Sequence, residues 1–179
     1  MTLGRFVAPV PFIYLMLESH GGASRSAGAL LFLLYLLTAF SDLLDGYFAR
    51  KAGPGSAGWG RLDVLADVWF NASALLAAAW LGLVGYWVPL GVVALAAQFL
   101  HRNRSATAGP PVRLREDLPG KAAGVIYYLL VGFVSLGVWL DGGRWLPWVS
   151  WAGDAAFLYT ALVFMRNLRK RPSPRQAPT

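Results

Sequence analysis

The sequence predicts an all-α integral membrane protein, a bundle of six transmembrane helices with both termini in the cytoplasm. Three observations predict it. Of the 179 residues, 56% are hydrophobic and only 14% charged, a more apolar balance than a soluble domain of this size carries. The apolar residues gather into six long segments separated by polar, glycine-rich or basic stretches. The basic residues fall almost entirely on one side of the topology those segments define.

The segments are justified in order. Crossing the hydrocarbon core takes about 20 mostly apolar helical residues. The first run, Leu3 to Leu17, includes "FVAPVPFIYLML". A single arginine, Arg5, precedes that apolar stretch, and no small-x-small site follows, so it reads as a retained helix rather than a cleaved leader. The second spans Ala27 to Ala49, and the third Leu62 to Tyr86. The fourth, Trp87 to Leu100, is short, like the first, and suits a tilted or partly inserted helix. The fifth runs from Lys121 to Leu140 and the sixth from Trp145 to Met165. With six spans, both termini, the 2–3 loop and the 4–5 loop share one side. Fourteen of the 16 Lys and Arg residues fall there, and only Arg25 and Arg144 fall on the other. Basic residues accumulate on the cytoplasmic side, which places both termini and the 2–3 loop inside. The eight tryptophans suit interfacial anchoring. No internal repeat is visible. One membrane domain covers residues 1–168, and residues 169–179 form a basic, proline-rich tail expected to be disordered.

Composition also narrows the chemistry. There is no cysteine, hence no disulfide, thiolate metal site or cysteine nucleophile, and two histidines are too few for a histidine-rich metal site. The net charge of +7, on so apolar a chain, points to anionic lipid and phosphorylated substrates rather than nucleic acid.

Of only nine acidic residues, four lie in "DLLDGYFARKAGPGSAGWGRLDVLAD", residues 42 to 67. In a helix, residues three, four and seven apart share a face. Asp42, Asp45, Gly46 and Ala49 therefore form one stripe on the second helix, and Asp63 and Asp67 lie one turn apart at the start of the third. The glycine- and proline-rich segment between them reverses the chain. The two helices are expected to run antiparallel as neighbours, with their carboxylates meeting at the cytoplasmic membrane boundary. Four crowded carboxylates take up protons, pair with basic residues or bind cations. Arg50 and Arg61 can pair with two of them. An all-oxygen cluster suits Mg²⁺ or Mn²⁺, and four carboxylates suffice for two ions that clamp a phosphoryl group. Gly46 and Ala49 leave room for a ligand against the backbone, or for close helix packing.

"DLLDGYFAR" followed by "LDVLAD" resembles the signature of the CDP-alcohol phosphatidyltransferases, D-x-x-D-G-x-x-A-R, a glycine, then D-x-x-x-D. The six-helix layout fits the same family, and "TLGRF" is similar to the start of its first helix. The family's linker glycine falls at Trp59, between Gly58 and Gly60. The resemblance implies transfer of a phosphatidyl group from a CDP-linked lipid such as CDP-diacylglycerol to an acceptor hydroxyl, with release of CMP. It further implies that Asp42, Asp45, Asp63 and Asp67 hold two divalent cations, Mg²⁺ or Mn²⁺. Asp67 would also be the general base, and Asp42, Gly46, Ala49, Arg50 and Gly60 would line the CDP-alcohol site. A homodimer in the cytoplasmic membrane is implied as well.

The 4–5 loop, "HRNRSATAGPPVRLREDLPGK", brings five basic residues to the active-site side. They suit a small phosphorylated acceptor such as glycerol 3-phosphate or inositol phosphate, with Arg104, Arg113 and Lys121 as the candidate contacts. The same charges also serve to set topology. "PGK" is similar to the "GK" of glycerophosphate-accepting members, although the arginine pair of their fourth helix is not evident. Asp154 reads as an acid near the outer interface with access to water, and His101 as a helix-end residue. An alternative is a small ion or proton transporter, since intramembrane acids mark ion paths. It predicts a continuous polar route and often paired repeats, whereas these acids cluster at one end. A catalytically dead interaction protein is expected to have lost a ligand, and all four aspartates are present.

Overall fold

The computed structural model describes residues 6–20, 25–51, 57–102, 118–140 and 146–169. Six helices account for nearly all of them, and there is no strand among the described residues. They are α1 (Pro9–His20), α2 (Arg25–Lys51), α3 (Ala57–Trp80), α4 (Trp87–Arg102), α5 (Leu118–Trp139) and α6 (Leu146–Arg169). Three segments, Arg25–Leu44, Leu118–Trp139 and Pro147–Arg169, are long and apolar enough to cross a membrane, and Val64–Trp80 and Trp87–His101 are shorter apolar helices. Large apolar side chains stand on the outside of the bundle, including Leu33, Phe40, Leu90, Trp151, Leu158 and Leu162. Such a surface suits lipid rather than water.

Helix ends differ from the expected ones where local chemistry decides them. α1 continues beyond Leu17 to His20, and within that last turn Ser19 donates its hydroxyl to the Leu15 carbonyl at 2.7 Å. α3 stops at Trp80 rather than running to Tyr86. Gly82 takes φ +74° there, and the backbone closes with Leu83 N–H donating to the Ala78 carbonyl at 2.9 Å and Gly82 N–H to that of Ala79 at 3.0 Å. This is the Schellman cap, which favours glycine because a side chain strains the left-handed backbone.

Side-chain contacts give the helix directions. Gly28 of α2 meets Trp139 of α5, and Tyr35 of α2 meets Gly132, so α2 and α5 are antiparallel. Trp87 and Gln98 of α4 meet Asp154 and Phe164 of α6, so these two run in the same direction. Tyr127 of α5 and Phe157 of α6 both stand against Gly91, while Tyr159, further along α6, reaches Pro119 near the start of α5, so α6 opposes α5. The capped turn sends α4 back along α3, which leaves α3 parallel to α5.

The core is apolar and close-packed. Phe12, Leu31, Phe70, Leu75, Val88, Tyr127, Val131 and Val134 are all at most 1% exposed. Interior hydroxyls bond to their own helices: Thr38 to Leu34 O, Ser135 to Val131 O and Thr160 to Ala156 O, at 2.7 to 2.9 Å. Such back-bonding lets a polar group sit in an apolar interior at little cost.

One expected pairing differs. Among the described residues, α2 and α3 do not pack on each other over any length; both pack on α1 and α5. The physical reason is Tyr128 of α5. Its ring lies 5.6 Å from that of Tyr35 on α2 and 6.1 Å from that of Phe70 on α3, so an aromatic wedge from α5 holds the two helices apart.

Candidate functional site

The site begins with two stripes. On α2, Leu31, Tyr35 and Thr38 are buried at helical spacing, and Asp42 continues that line, half-buried. On α3, Phe70, Ala74 and Ala78 are buried, and Asp67 continues their face toward the 52–56 connection, also half-buried. Each carboxylate extends a stripe that deeper in the molecule is core, so each belongs to the inner side of its helix. Asp45 and Asp63 occupy backbone positions that prolong the same stripes outward by one turn. Their side chains lie outside the described residues.

The two described aspartates share one depth. Gly132 is opposite Tyr35 across the antiparallel pair α2 and α5; seven residues along each strand of contact, Asp42 comes level with Val125. Phe70 is beside Tyr128 across the parallel pair α3 and α5; three residues along, Asp67 is also level with Val125. Asp42 and Asp67 therefore stand on either side of α5 at the same height, above the Tyr128 wedge.

Of the residues expected to line the CDP-alcohol site, Gly46, Ala49 and Arg50 lie on the last two turns of α2 and Gly60 on the first turn of α3. Nothing beyond their backbone positions is described. Of the acceptor candidates, Lys121 is exposed on the first turn of α5, four residues or about 6 Å toward the loop from the level of the aspartates. Arg104 and Arg113 lie outside the described residues. His101 is exposed at the end of α4. Asp154 belongs to the opposite end of the bundle, where its carboxylate accepts a hydrogen bond from Trp87 Nε1 at 2.9 Å.

Two residues that the sequence did not single out also matter. Asn71, one turn deeper than Asp67, is 5% exposed. Its Nδ2 donates to the Asp67 carbonyl at 2.9 Å, while its buried Oδ1 has no hydrogen-bond partner. Gly124 on α5 is exposed, and a Cβ added to it would meet nothing within 4 Å. The signals were present as spacing: Asn71 is four residues after Asp67, and Gly124 three after Lys121.

Divalent ions fit this donor set by its chemistry. Asp42 and Asp67 supply hard anionic oxygens at one depth, and the helical positions of Asp45 and Asp63 continue the same stripes. Among the described residues no group of three or more His, Cys, Asp or Glu side chains is close enough to hold an ion; two of the four candidate ligands fall outside them.

Among the described residues, the fold is that of a helical protein of apolar surface with Asp42, Asp67 and Lys121 toward one end. The sequence matches the CDP-alcohol phosphatidyltransferase family over residues 1–167, and the chain belongs to that family. It is 30% identical over 182 aligned residues, 95% of this chain and 81% of the relative, to a protein of Streptomyces coelicolor named cardiolipin synthase (CMP-forming). The chain is thus a membrane transferase of phospholipid synthesis that works on a CDP-linked lipid donor and an alcohol acceptor. The family is in general dependent on divalent metal.

Proposed function

We propose that the chain moves a phosphatidyl group from CDP-diacylglycerol to a hydroxyl of a phosphorylated polyol and releases CMP. The observation that supports this most is the common depth of Asp42 and Asp67 on two inward-facing stripes. The acceptor oxygen bonds to the phosphorus that carries the lipid alcohol, the bond from that phosphorus to the CMP oxygen breaks, and the hydroxyl proton passes to Asp67. Asp42, Asp45, Asp63 and Asp67 hold two Mg²⁺ or Mn²⁺ ions, which, when bound, neutralise the diphosphate and improve CMP as a leaving group. Asp67, at the inner end of its pair, accepts the proton. Gly46, Ala49, Arg50 and Gly60 serve the CDP moiety. Lys121, with Arg104 and Arg113 from the 4–5 loop, serves the acceptor phosphate.

In this proposal all six helices insert in the cytoplasmic membrane, with the aspartate end and both termini facing the cytoplasm. Residues 1–168 form the membrane domain, 169–179 the tail, and two chains associate. The interior between the two ends of the bundle favours a transferase over an ion path. It is closed by Leu75, Val88, Val131 and Val134, each at most 1% exposed.

The acceptor is glycerol 3-phosphate or inositol phosphate. A second possibility is favoured by the relative named as a cardiolipin synthase. Cardiolipin carries two phosphatidyl groups on one glycerol, so an acceptor of that kind is the glycerol head group of phosphatidylglycerol. The test is a panel: purified full chain, CDP-diacylglycerol and Mg²⁺ or Mn²⁺, with CMP release and lipid product measured for each acceptor. CMP release dependent on one acceptor supports the proposal. No CMP release with any acceptor and either metal overturns it.

A further inference from the structure

On α5, Gly124, Tyr128, Val131 and Ser135 share one face at spacings of four, three and four residues. The deeper members are covered. Val131 is 1% exposed and Ser135 0%, and Tyr128 is wedged between Tyr35 and Phe70. This face therefore points inward, into the gap between α2 and α3. At Gly124 the same face is exposed, and a Cβ there would find no atom within 4 Å. Gly124 therefore leaves open space on this face, one residue from the level of Asp42 and Asp67. Lys121 lies one turn further out on the same face, and Tyr128 one turn deeper.

A glycine in mid-helix costs stability relative to alanine. At Gly28, Gly91 and Gly132, a side chain would collide with a neighbour, so packing accounts for those three. Packing does not account for Gly124. What its missing side chain provides is open volume beside the carboxylates, on the helix whose first turn carries Lys121.

We propose that Gly124 is a specificity-determining residue. The open space it leaves seats the phosphorylated polyol of the acceptor, with its phosphate toward Lys121 and its attacking hydroxyl toward Asp67. The CDP-linked donor is assigned to the α2 and α3 stripes, so the α5 side of the gap falls to the acceptor. The shared chemistry is a glycerol or similar polyol bearing a phosphate, whether free or as a lipid head group. This inference rests on the transferase function proposed above.

The experiment compares the full wild-type chain with Gly124→Ala and Gly124→Leu, each assayed for CMP release with CDP-diacylglycerol. Glycerol 3-phosphate and inositol phosphate form one arm and phosphatidylglycerol the other. Because a Cβ on Gly124 would find no atom within 4 Å, both variants are expected to unfold at or above the wild-type temperature. Gly124→Leu should raise KM for the acceptor by tenfold or more and leave KM for CDP-diacylglycerol within twofold, with Gly124→Ala between. The arm in which wild type is active and the variant's KM rises identifies the source of the polyol. Wild-type acceptor KM in Gly124→Leu overturns the proposal, as does a selective rise in the KM for CDP-diacylglycerol. If the leucine variant is unstable, an unchanged acceptor KM in Gly124→Ala, together with the failed expectation of stability, overturns it too. A wild-type chain inactive with every acceptor instead overturns the transferase function itself.

Discussion

Gly28 of α2 lies so close to Trp139 of α5 that a Cβ on it would stand 2.9 Å from the Trp139 Cα. The obstacle is backbone, which cannot rotate away as a side-chain tip can. Phe32, one turn on, stacks on the Trp139 ring at 5.6 Å, so the contact is fixed from both sides. Gly28→Ala is expected to force α2 and α5 apart and destabilise the bundle by about 1–3 kcal/mol, the scale of overpacking a tight contact. Thermal unfolding in a single detergent checks this; an unchanged midpoint would show that the helices separate freely there.

Asn71 leads to a second expectation. Its Nδ2 is satisfied by the Asp67 carbonyl, yet Oδ1 is buried without a hydrogen-bond partner. Inside a helix every backbone N–H is already used, so the oxygen finds no donor on its own helix. Leucine has similar size and removes both the bond and the unmet oxygen, two effects of about 1 kcal/mol that oppose each other. Asn71→Leu should therefore shift stability by less than about 1 kcal/mol. Asn71→Asp places a charge in the same buried position and should cost at least about 2 kcal/mol. Unfolding midpoints for both variants decide it, and a leucine variant as unstable as the aspartate would disprove the balance.

Removing divalent ions should abolish turnover reversibly. If the four aspartates hold ions, EDTA treatment stops CMP release, and excess Mg²⁺ or Mn²⁺ restores it, whereas K⁺ at equal ionic strength does not. The fold itself rests on apolar packing through Phe12, Phe70, Tyr127 and Val134, so unfolding temperature should change little on chelation. Activity that survives exhaustive chelation would remove the ions from the chemistry.

Much of this architecture was legible in the sequence, because lipid imposes simple rules. Apolar length located the six helices, and the D-x-x-D-G-x-x-A-R pattern indicated the family that the chain matches. Helix termini were legible only in part. The α3 stop depends on one glycine in a left-handed conformation, and "LGLVGYW" offers two glycines without showing which turns the chain. Helix partners were not legible. A short connection between α2 and α3 suggests direct packing, and nothing in their own sequences shows that Tyr128, some 60 residues later, parts them. For the same reason the spacing of Gly124 from Lys121 did not show what the glycine does. A glycine that leaves open space and a glycine that admits a neighbouring helix are identical until their surroundings are known.

The two aspartates of known depth are expected to differ in what they do, and substitution separates them. Asp67 is the innermost carboxylate of the α3 pair and is one residue from the level of Gly124 on α5, the helix assigned to the acceptor. Asn at this position keeps the size and one oxygen but cannot take a proton. Asp67→Asn should therefore retain metal-dependent binding of CDP-diacylglycerol, while turnover falls by about 100-fold or more, the scale of general-base catalysis. Asp42 is innermost on α2, on the helix assigned to the CDP moiety, and both ions are expected to depend on it. Asp42→Asn should lose donor binding and turnover together. Both measurements are needed on both variants, with unfolding temperature as the control for folding. Loss of donor affinity in Asp67→Asn with little further loss of turnover would assign Asp67 to holding metal alone. Near-normal turnover in Asp42→Asn would overturn the two-ion site, since no arrangement of the remaining three carboxylates is expected to hold both ions without it.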